Sequence, residues 1–321
     1  MLYFLFFIKI LINSKDKEKG ENKMDKLAEV INYFPYGIKQ CIQEFSGDFN
    51  LLEEIRIRVD REILLKIGQV EYILNYIVSS KEILEILQKI CDNSIYTYQN
   101  QICNGYITIK GGHRVGITGS IVFKEGQVIN ISHIYSLNFR IAKEIIGCSN
   151  KILKYILNIK ENTVFNSIIL SPPGRGKTTL LRDCVRNISD GIEEIGFKGI
   201  NVGVVDERGE IAAMYKGIPQ NDLGKRTDIL DNVSKDIGMK MLIRSMNPNV
   251  IVADEIGTAE DVLAINYAVC SGIKGIFTAH GSTLNDIILN PILKKLYEIK
   301  VIEKIILIEK DRSLKLLYSK Y

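Results

Sequence analysis

One short run constrains this chain more than any other, Ser171-Pro-Pro-Gly-Arg-Gly-Lys-Thr178. It follows the apolar residues 167–170, which predict a buried strand, and leads into residues 177–188, which have helical periodicity. Glycines at 174 and 176 allow backbone N–H groups to turn inward without a side-chain clash. A concave nest and a helix N-terminus then face an anion. The run therefore predicts a phosphate-binding loop between a strand and a helix.

The run matches the pattern G-x-x-x-x-G-K-[ST] except at its first position, where Ser171 replaces glycine. Lys177 is expected to reach the β- and γ-phosphates of ATP, and Thr178 to bind Mg²⁺ through its hydroxyl. An ordinary glycine turn before a helix is the alternative, which the flanking strand and helix disfavour. The expected nucleotide-contacting residues are Ser171, Pro172, Pro173, Gly174, Arg175, Gly176, Lys177, Thr178 and Thr179.

A second motif, Val250-Ile-Val-Ala-Asp-Glu255, is an apolar strand that ends in two carboxylates. Asp254 is expected to hold the Mg²⁺ shell, directly or through water, and Glu255 to orient or deprotonate the attacking water. A buried strand followed by two solvated carboxylates is the alternative. The order of the two motifs, within alternating strands and helices, favours a catalytic pair.

A third cluster lies in Val204-Val-Asp-Glu-Arg-Gly-Glu-Ile211, at the end of the strand predicted over residues 200–205. Ligands collect at the carboxyl ends of parallel strands, so Asp206, Glu207 and Glu210 are candidates for positioning water or metal. A solvated loop is nearly as compatible with the pattern. Because this strand lies between the two motifs in sequence, it suggests an extra central strand separating them, as in RecA-like and AAA-type ATPases.

Further candidates come from one strand end and three arginines. Thr278 and His280 end the strand predicted over residues 275–278, where either side chain could sense a γ-phosphate by hydrogen bonding. A transferring phosphoryl group is stabilised by an added arginine, often from a neighbouring subunit. Arg244 is the main candidate, with Arg208 and Arg226 on nearby loops. Each of these arginines could equally pair with a surface carboxylate.

The chain of 321 residues predicts about two domains. Residues 24–148 read as a small α+β domain, and residues 149–321 as an α/β domain with a parallel sheet covered by helices on both faces. The net charge of +4 does not indicate nucleic-acid binding. The six cysteines contain no C-x-x-C pair, which disfavours a zinc site and fits free thiols in a reducing cytosol.

The first 23 residues stand apart from these domains. An apolar run over residues 2–12 is too short to span a bilayer, and it lacks the basic flank and cleavage site of a signal peptide. Three readings remain open for residues 1–23: an extension upstream of a true start at Met24, a weak membrane-surface segment, or a tail without fixed structure.

Several further runs resemble the stage III sporulation protein AA family. They are Gly105-Tyr-Ile-Thr-Ile-Lys-Gly-Gly-His-Arg-Val-Gly116, Asn138-Phe-Arg-Ile-Ala142, Arg226-Thr-Asp-Ile-Leu-Asp231, Met239-Lys-Met-Leu-Ile-Arg-Ser-Met246 and Ala253-Asp-Glu-Ile-Gly257. The resemblance covers about residues 25–320. The family is similar to the traffic ATPases of type II and type IV secretion and of pilus assembly. It therefore implies a RecA-like or AAA-type ATPase domain preceded by a smaller α+β domain.

The resemblance also implies roles for particular residues. An acidic box carries over to Asp206, Glu207 and Glu210, and a histidine box to His280. Arginines of the N-terminal domain act on the nucleotide in traffic ATPases. The resemblance therefore implies Arg114 and Arg140 as the first candidates, and Arg56 and Arg58 as the next. Two departures from the family pattern, Ser171 and a glycine at 209 where serine is expected, remove no catalytic side chain.

For function, the resemblance implies a ring-shaped homo-hexamer that hydrolyses ATP with Mg²⁺ during endospore formation. The ATPase would lie on the mother-cell side, cytoplasmic and peripheral to the membrane, and energise a secretion-like channel between mother cell and forespore. Its direct partner would be a membrane platform protein of the same sporulation complex. Two alternatives stay open: a nucleic-acid-associated ATPase, which the lack of a basic patch disfavours, and a nucleotide-binding scaffold with little turnover.

Overall fold

The structure, a computed structural model, describes residues 28–309 and 311–320. Its contacts divide the chain into two compact units. The first unit runs to Lys143 and also takes in Ala213–Gln220, whereas the second comprises Glu144–Ala212 and the chain from Asn221 onward. The expected boundary at residue 148 therefore lies a few residues after the observed one. The predicted extension, residues 1–23, lies outside the described residues.

The first unit is built on a six-stranded antiparallel sheet with the strand order β3-β2-β1-β6-β5-β4. A helical turn at residues 28–31 precedes its first helix. In chain order the elements are α1 (Tyr36–Gln43), β1 (Leu52–Arg58), β2 (Glu62–Ile67), β3 (Val70–Ile77), α2 (Ser80–Ile90), α3 (Gln99–Cys103), β4 (Tyr106–Thr108), β5 (Arg114–Lys124) and β6 (Gln127–Arg140).

Alternating burial builds the core of this unit. Ile55 and Ile57 of β1 are fully buried, and they join one apolar cluster with Ile83 of α2. Helix α2 begins at a capping box in which Ser79 and Glu82 each bond the other's backbone N–H. Such a cap stabilises a helix by about 1 kcal/mol. The α+β character expected from the sequence follows from this helix-on-sheet packing.

Strand β6 is longer than the sequence predicts. The alternating pattern predicts a strand only over residues 127–131, whereas the observed strand continues to Arg140 through His133, where the backbone has a φ of +45°. Alternation then resumes, with Leu137 and Phe139 fully buried. The second half of the strand pairs with both β1 and β5. Strand β1 is distant in sequence, so local periodicity could not reveal that pairing.

Ala213–Gln220 belongs to the first unit although the sequence assigned these residues to the second domain. Lys216 Nζ lies 2.7 Å from Asp92 Oδ2. The backbone N–H of Gly111 donates to Gln220 Oε1 at 2.8 Å. The chain therefore leaves the second unit after residue 212 and returns at residue 221.

The second unit contains a seven-stranded sheet with the order β13-β12-β14-β15-β9-β16-β17. All of its neighbouring strands are parallel except β16 and β17. In chain order the elements are α4 (Asn150–Ile156), β7 (Leu157–Asn158), β8 (Thr163–Val164), β9 (Ser167–Ser171), α5 (Lys177–Asp190), β10 (Gly191–Ile192), β11 (Phe197–Lys198), β12 (Val202–Asp206), β13 (Thr227–Asp231), α6 (Lys235–Ser245), β14 (Val250–Ala253), α7 (Ala259–Cys270), β15 (Lys274–His280), α8 (Leu284–Leu289), α9 (Pro291–Glu298), β16 (Lys304–Ile308) and β17 (Leu314–Ser319).

The strand between the phosphate-loop strand β9 and the acidic strand β14 is not the one expected. The sequence suggested β12, because it lies between the two motifs along the chain. In the sheet β12 pairs on the far side of β14, and β15 separates β14 from β9. A crossover connection thus brings a later strand into the centre of the sheet.

Strand β13 was not predicted, because all five of its residues are half-buried and no face is clearly apolar. It forms the parallel edge of the sheet beside β12. Within residues 28–309 and 311–320, no helix is long and apolar enough to cross a bilayer.

Candidate functional site

The phosphate loop joins a buried strand to a helix, as the sequence predicted. All five residues of β9 are buried, and α5 begins at Lys177 directly after Gly176. Gly174 and Gly176 have φ values of +72° and +86°, a region that favours glycine. A Cβ added at either glycine would meet nothing within 4 Å, so backbone conformation rather than lack of space requires glycine there.

Ser171, the variant first position of the loop, is buried, and its hydroxyl donates to the carbonyl of Pro172 at 2.8 Å. The serine is therefore accommodated inside the turn. The loop then becomes exposed from Pro173 to Gly176, with Arg175 at its tip. Thr179 is half-buried in the first turn of α5. The exposed backbone of this loop is where phosphate oxygens can reach N–H groups.

Lys177 is buried, with 6 % of the residue exposed. Its Nζ lies 3.5 Å from the carbonyl oxygen of Ser171 and 2.9 Å from His280 Nδ1. Burial lowers the pKa of Lys177, while the nearby carboxylates of Asp254 and Glu255 oppose that change. The amine is thus held at the ends of β9 and β15, below the phosphate loop.

Asp254 receives hydroxyl donors from two elements. Thr178 Oγ1, at the start of α5, donates to Asp254 Oδ2 at 2.5 Å. Thr278 Oγ1, on β15, donates to the other oxygen, Oδ1. A hydroxyl and a carboxylate are oxygen ligands of the kind that Mg²⁺ prefers. Because the two expected metal ligands meet at hydrogen-bond distance, the donor set fits Mg²⁺.

Glu255 follows Asp254 in a left-handed backbone conformation, with φ of +51°. Such a conformation costs a non-glycine residue about 1–3 kcal/mol, and it is held here by the surroundings. The N–H of Glu255 donates to Thr278 Oγ1 at 2.9 Å and to Asp254 Oδ1 at 3.0 Å. These bonds turn the Glu255 carboxylate away from the strand and toward the pocket beside it.

Both carboxylate oxygens of Glu255 contact a basic side chain. Oε1 lies 3.2 Å from His280 Nε2, and Oε2 accepts from Arg208 Nη1 at 2.5 Å. A lysine ammonium has donors only, so protonated Lys177 requires His280 Nδ1 to accept and leaves the ring proton on Nε2. His280 therefore links Lys177 to Glu255, the candidate base.

Asp206 accepts hydrogen bonds from the backbone of its own loop, and its expected role in positioning metal or water stays a prediction. Its buried carboxylate accepts the backbone N–H groups of Glu210, Ile211 and Ala212 at 2.8–3.1 Å. Burial raises the pKa of Asp206, against the lowering effect of these three amides. The side chain thus holds the loop after β12 in place.

The other two acidic residues of this loop line a pocket. Glu207 forms an ion pair with Lys235, the first residue of α6. The backbone carbonyl of Glu210 accepts from Arg182 Nη2 at 2.9 Å. The residues lining the pocket are Val205, Asp206, Glu207, Arg208, Glu210, Lys235, Asp254 and Glu255.

Two of the candidate arginines, Arg244 and Arg226, lie elsewhere. Arg244 is exposed in the last turn of α6, whereas Lys235 at the opposite end of that helix reaches the pocket. Because α6 returns across a parallel sheet, Arg244 lies toward the edge away from this chain's own phosphate loop. Arg226 donates to the carbonyl of Ser189 at 2.9 Å, near the start of β13.

The arginines proposed from the first unit share one face of its sheet. Arg114 and Arg140 are cross-strand partners, and the Arg114 guanidinium lies 3.9 Å from the centre of the Tyr106 ring. Arg56 forms an ion pair with Glu54 at 2.6 Å. Their expected action on nucleotide stays a prediction.

Sequence reasoning missed Lys235. The only signal was a lysine directly after Ser234 at the start of a predicted helix, a position at which cations are disfavoured. The sequence suggested Thr278 only as a phosphate sensor. In the structure its hydroxyl donates to Asp254 and accepts from the N–H of Glu255.

Comparisons with known proteins agree on the type of fold. A family model described as "Sporulation stage III, protein AA" matches residues 24–318. The chain is 38 % identical over 283 residues to the Stage III sporulation protein AA of Bacillus subtilis, covering 88 % of this chain and 89 % of that protein.

Two solved structures share the fold at low sequence identity. The pilus retraction motor PilT, solved with bound ADP, aligns with a TM-score of 0.55 and 16 % identity, over 88 % of this chain and 82 % of that chain. The ATPase DotB of Legionella pneumophila aligns with a TM-score of 0.53 and 15 % identity, over 83 % and 75 % respectively. The predicted fold, a RecA-like α/β domain preceded by a smaller α+β domain, is thereby confirmed.

Proposed function

Because this chain belongs to the family Sporulation stage III, protein AA, we propose that it is a magnesium-dependent ATPase that powers a secretion-like channel between mother cell and forespore. One observation carries the enzymatic part. The Thr178 hydroxyl and the Asp254 carboxylate meet at 2.5 Å below an exposed glycine loop, with Glu255 as the next residue. A phosphate cradle, a metal-binding pair and a carboxylate base thus adjoin one another.

In the proposed reaction the exposed N–H groups of the loop and the Lys177 ammonium bind the phosphates of ATP. Thr178 and Asp254 would hold Mg²⁺, which would supply positive charge to the phosphate oxygens of ATP. Glu255 orients a water for in-line attack on the γ-phosphorus and accepts its proton. His280 holds both Lys177 and Glu255, and so fixes the base relative to the phosphates.

The finer biological role follows the family. We propose a ring-shaped homo-hexamer, cytoplasmic and peripheral to the membrane on the mother-cell side, in which Arg244 contributes to a neighbouring subunit's site. Its partner would be a membrane platform protein of the same sporulation complex. The family description supports a role in sporulation, and the position of Arg244 away from its own phosphate loop is compatible with action between subunits.

Phosphate release from ATP by the purified chain, with and without Mg²⁺, tests the enzymatic proposal. Lys177→Ala should lower kcat/KM roughly 100-fold or more, because it removes a charge that faces the transferred phosphoryl group. Glu255→Gln should keep ATP binding and lose hydrolysis. Lys294→Ala, at an exposed lysine of α9 that pairs with Glu298 at 3.7 Å, is the control and should match the wild type.

Three results would count against parts of the proposal. Activity that survives Lys177→Ala refutes the assigned site, and a wild type that binds ATP without turnover supports the scaffold alternative. Loss of ATP binding in Glu255→Gln assigns that residue a structural role. Native mass measured with and without ATP and Mg²⁺ tests the hexamer, and capture of an integral-membrane partner tests the channel role.

A further inference from the structure

Lys235 occupies an unfavourable place for a lysine. It is the first residue of α6, and only 9 % of its side chain is exposed. Lysine is rarely buried unless its charge is paired. The N-terminus of a helix also carries partial positive charge, which disfavours a cation in the first turn. Both burial and the helix dipole thus oppose Lys235, and helix formation alone does not require it.

The charge of Lys235 is directed to one partner. Its Nζ forms an ion pair with Oε2 of Glu207, whose side chain is 38 % exposed. The neighbouring acid in the first turn, Asp236, instead accepts from the hydroxyl of Ser234 at 2.7 Å. Lys235 therefore reaches across from α6 to the loop after β12 instead of pairing within its own helix turn.

Lys235 and Glu207 both line the pocket that contains Asp254 and Glu255. The residue after Glu207, Arg208, reaches the Glu255 carboxylate at 2.5 Å. Two consecutive residues therefore form ion pairs with two different parts of the fold. Glu207 pairs with Lys235 at the start of α6, and Arg208 pairs with Glu255 just after β14. This arrangement fixes the direction of the Glu207 side chain at the side of the pocket next to the candidate base.

We propose that Lys235 is a positioning residue for the hydrolysis step, acting through its ion pair with Glu207. The pair holds the Glu207 carboxylate where it orients the water that attacks the γ-phosphate, beside Glu255. This inference rests on the proposed ATPase function. Without the Lys235 charge, Glu207 loses its fixed direction among the other carboxylates of the pocket, and the water is less well aligned.

Steady-state ATP hydrolysis by Lys235→Met tests the inference, because methionine keeps the apolar stem and removes the charge. We expect kcat to fall roughly 10- to 100-fold, the range that misalignment of a reacting group produces, with KM for ATP within about twofold of the wild type. Lys235→Arg should restore part of kcat. In a Glu207→Gln background, Lys235→Met should cause no further fall, since its partner is already altered.

The matched control is Lys240→Met on the same helix, where the lysine is 45 % exposed and lies 3.9 Å from Asp236. It should leave kcat unchanged. Thermal melting of every variant separates loss of catalysis from loss of fold. The inference is overturned if Lys235→Met retains wild-type kcat, if its loss appears only in KM, or if the same fractional loss recurs with Glu207→Gln. A wild type without turnover refutes the proposed function itself, which distinguishes that failure from the failure of Lys235.

Discussion

Replacing Asp206 by asparagine should destabilise the second unit by about 2–3 kcal/mol. The carboxylate accepts four hydrogen bonds from three buried or half-buried amides, with Oδ1 facing Glu210 and Ile211 and Oδ2 facing Ile211 and Ala212. Asparagine keeps one accepting oxygen, and its NH₂ group cannot accept. One backbone N–H is therefore left without an acceptor, which costs about 1–3 kcal/mol, and the charge-assisted character of the remaining bonds is lost.

Urea unfolding of Asp206→Asn measures this loss, and a decrease in Tm of roughly 4–8 °C should accompany about 2 kcal/mol in a domain of this size. Asp222→Asn is the control, because Asp222 is exposed and accepts one backbone N–H, from Gly224, at 3.0 Å. That change should stay within about 0.5 kcal/mol. A loss of less than about 0.5 kcal/mol for Asp206→Asn would refute the role assigned to its carboxylate.

Three further changes test other contacts. Thr178→Val removes the hydroxyl that meets Asp254, so half-maximal ATPase activity should require roughly tenfold more Mg²⁺, as measured by metal titration. Asp183→Ala leaves the buried N–H and hydroxyl of Ser149 without their acceptor and should cost about 3 kcal/mol in urea unfolding; an unchanged midpoint would contradict the assigned bonds. Thr278→Val removes the hydroxyl between Asp254 and the Glu255 amide, so kcat should fall roughly tenfold with the fold retained, and wild-type kcat would refute that role.

Local sequence patterns predicted the elements that carry their own signal. The glycine loop after an apolar strand predicted the turn at Gly176, because a left-handed backbone and a helix start leave a direct mark on residue type. The run over residues 250–255 predicted a fully buried strand followed by carboxylates. In both cases the determining physics is local, namely backbone conformation and strand burial.

The elements that the sequence did not predict depend on pairing with other strands. Strand β13 is held by pairing with β12, and the later part of β6 by pairing with two strands at once. The places of Lys235 and Arg208 likewise depend on ion pairs with residues elsewhere in the chain. Lys235 pairs with Glu207, and Arg208 pairs with Glu255. An ion pair between two segments cannot be predicted from one residue, because the same lysine or arginine could equally be exposed to solvent.

The position of β15 has the largest consequence for the site. It inserts between β9 and β14, so Thr278 and His280 stand between Lys177 on one side and the Asp254–Glu255 pair on the other. Strands β9 and β14 do not pair with each other. Thr278 of β15 bonds to Asp254 after β14, and His280 contacts both Lys177 after β9 and Glu255 after β14. His280 contacts both Lys177 and Glu255, in addition to the direct electrostatic interaction between those two side chains. The strand order, which no single segment encodes, thus places His280 between Lys177 and Glu255.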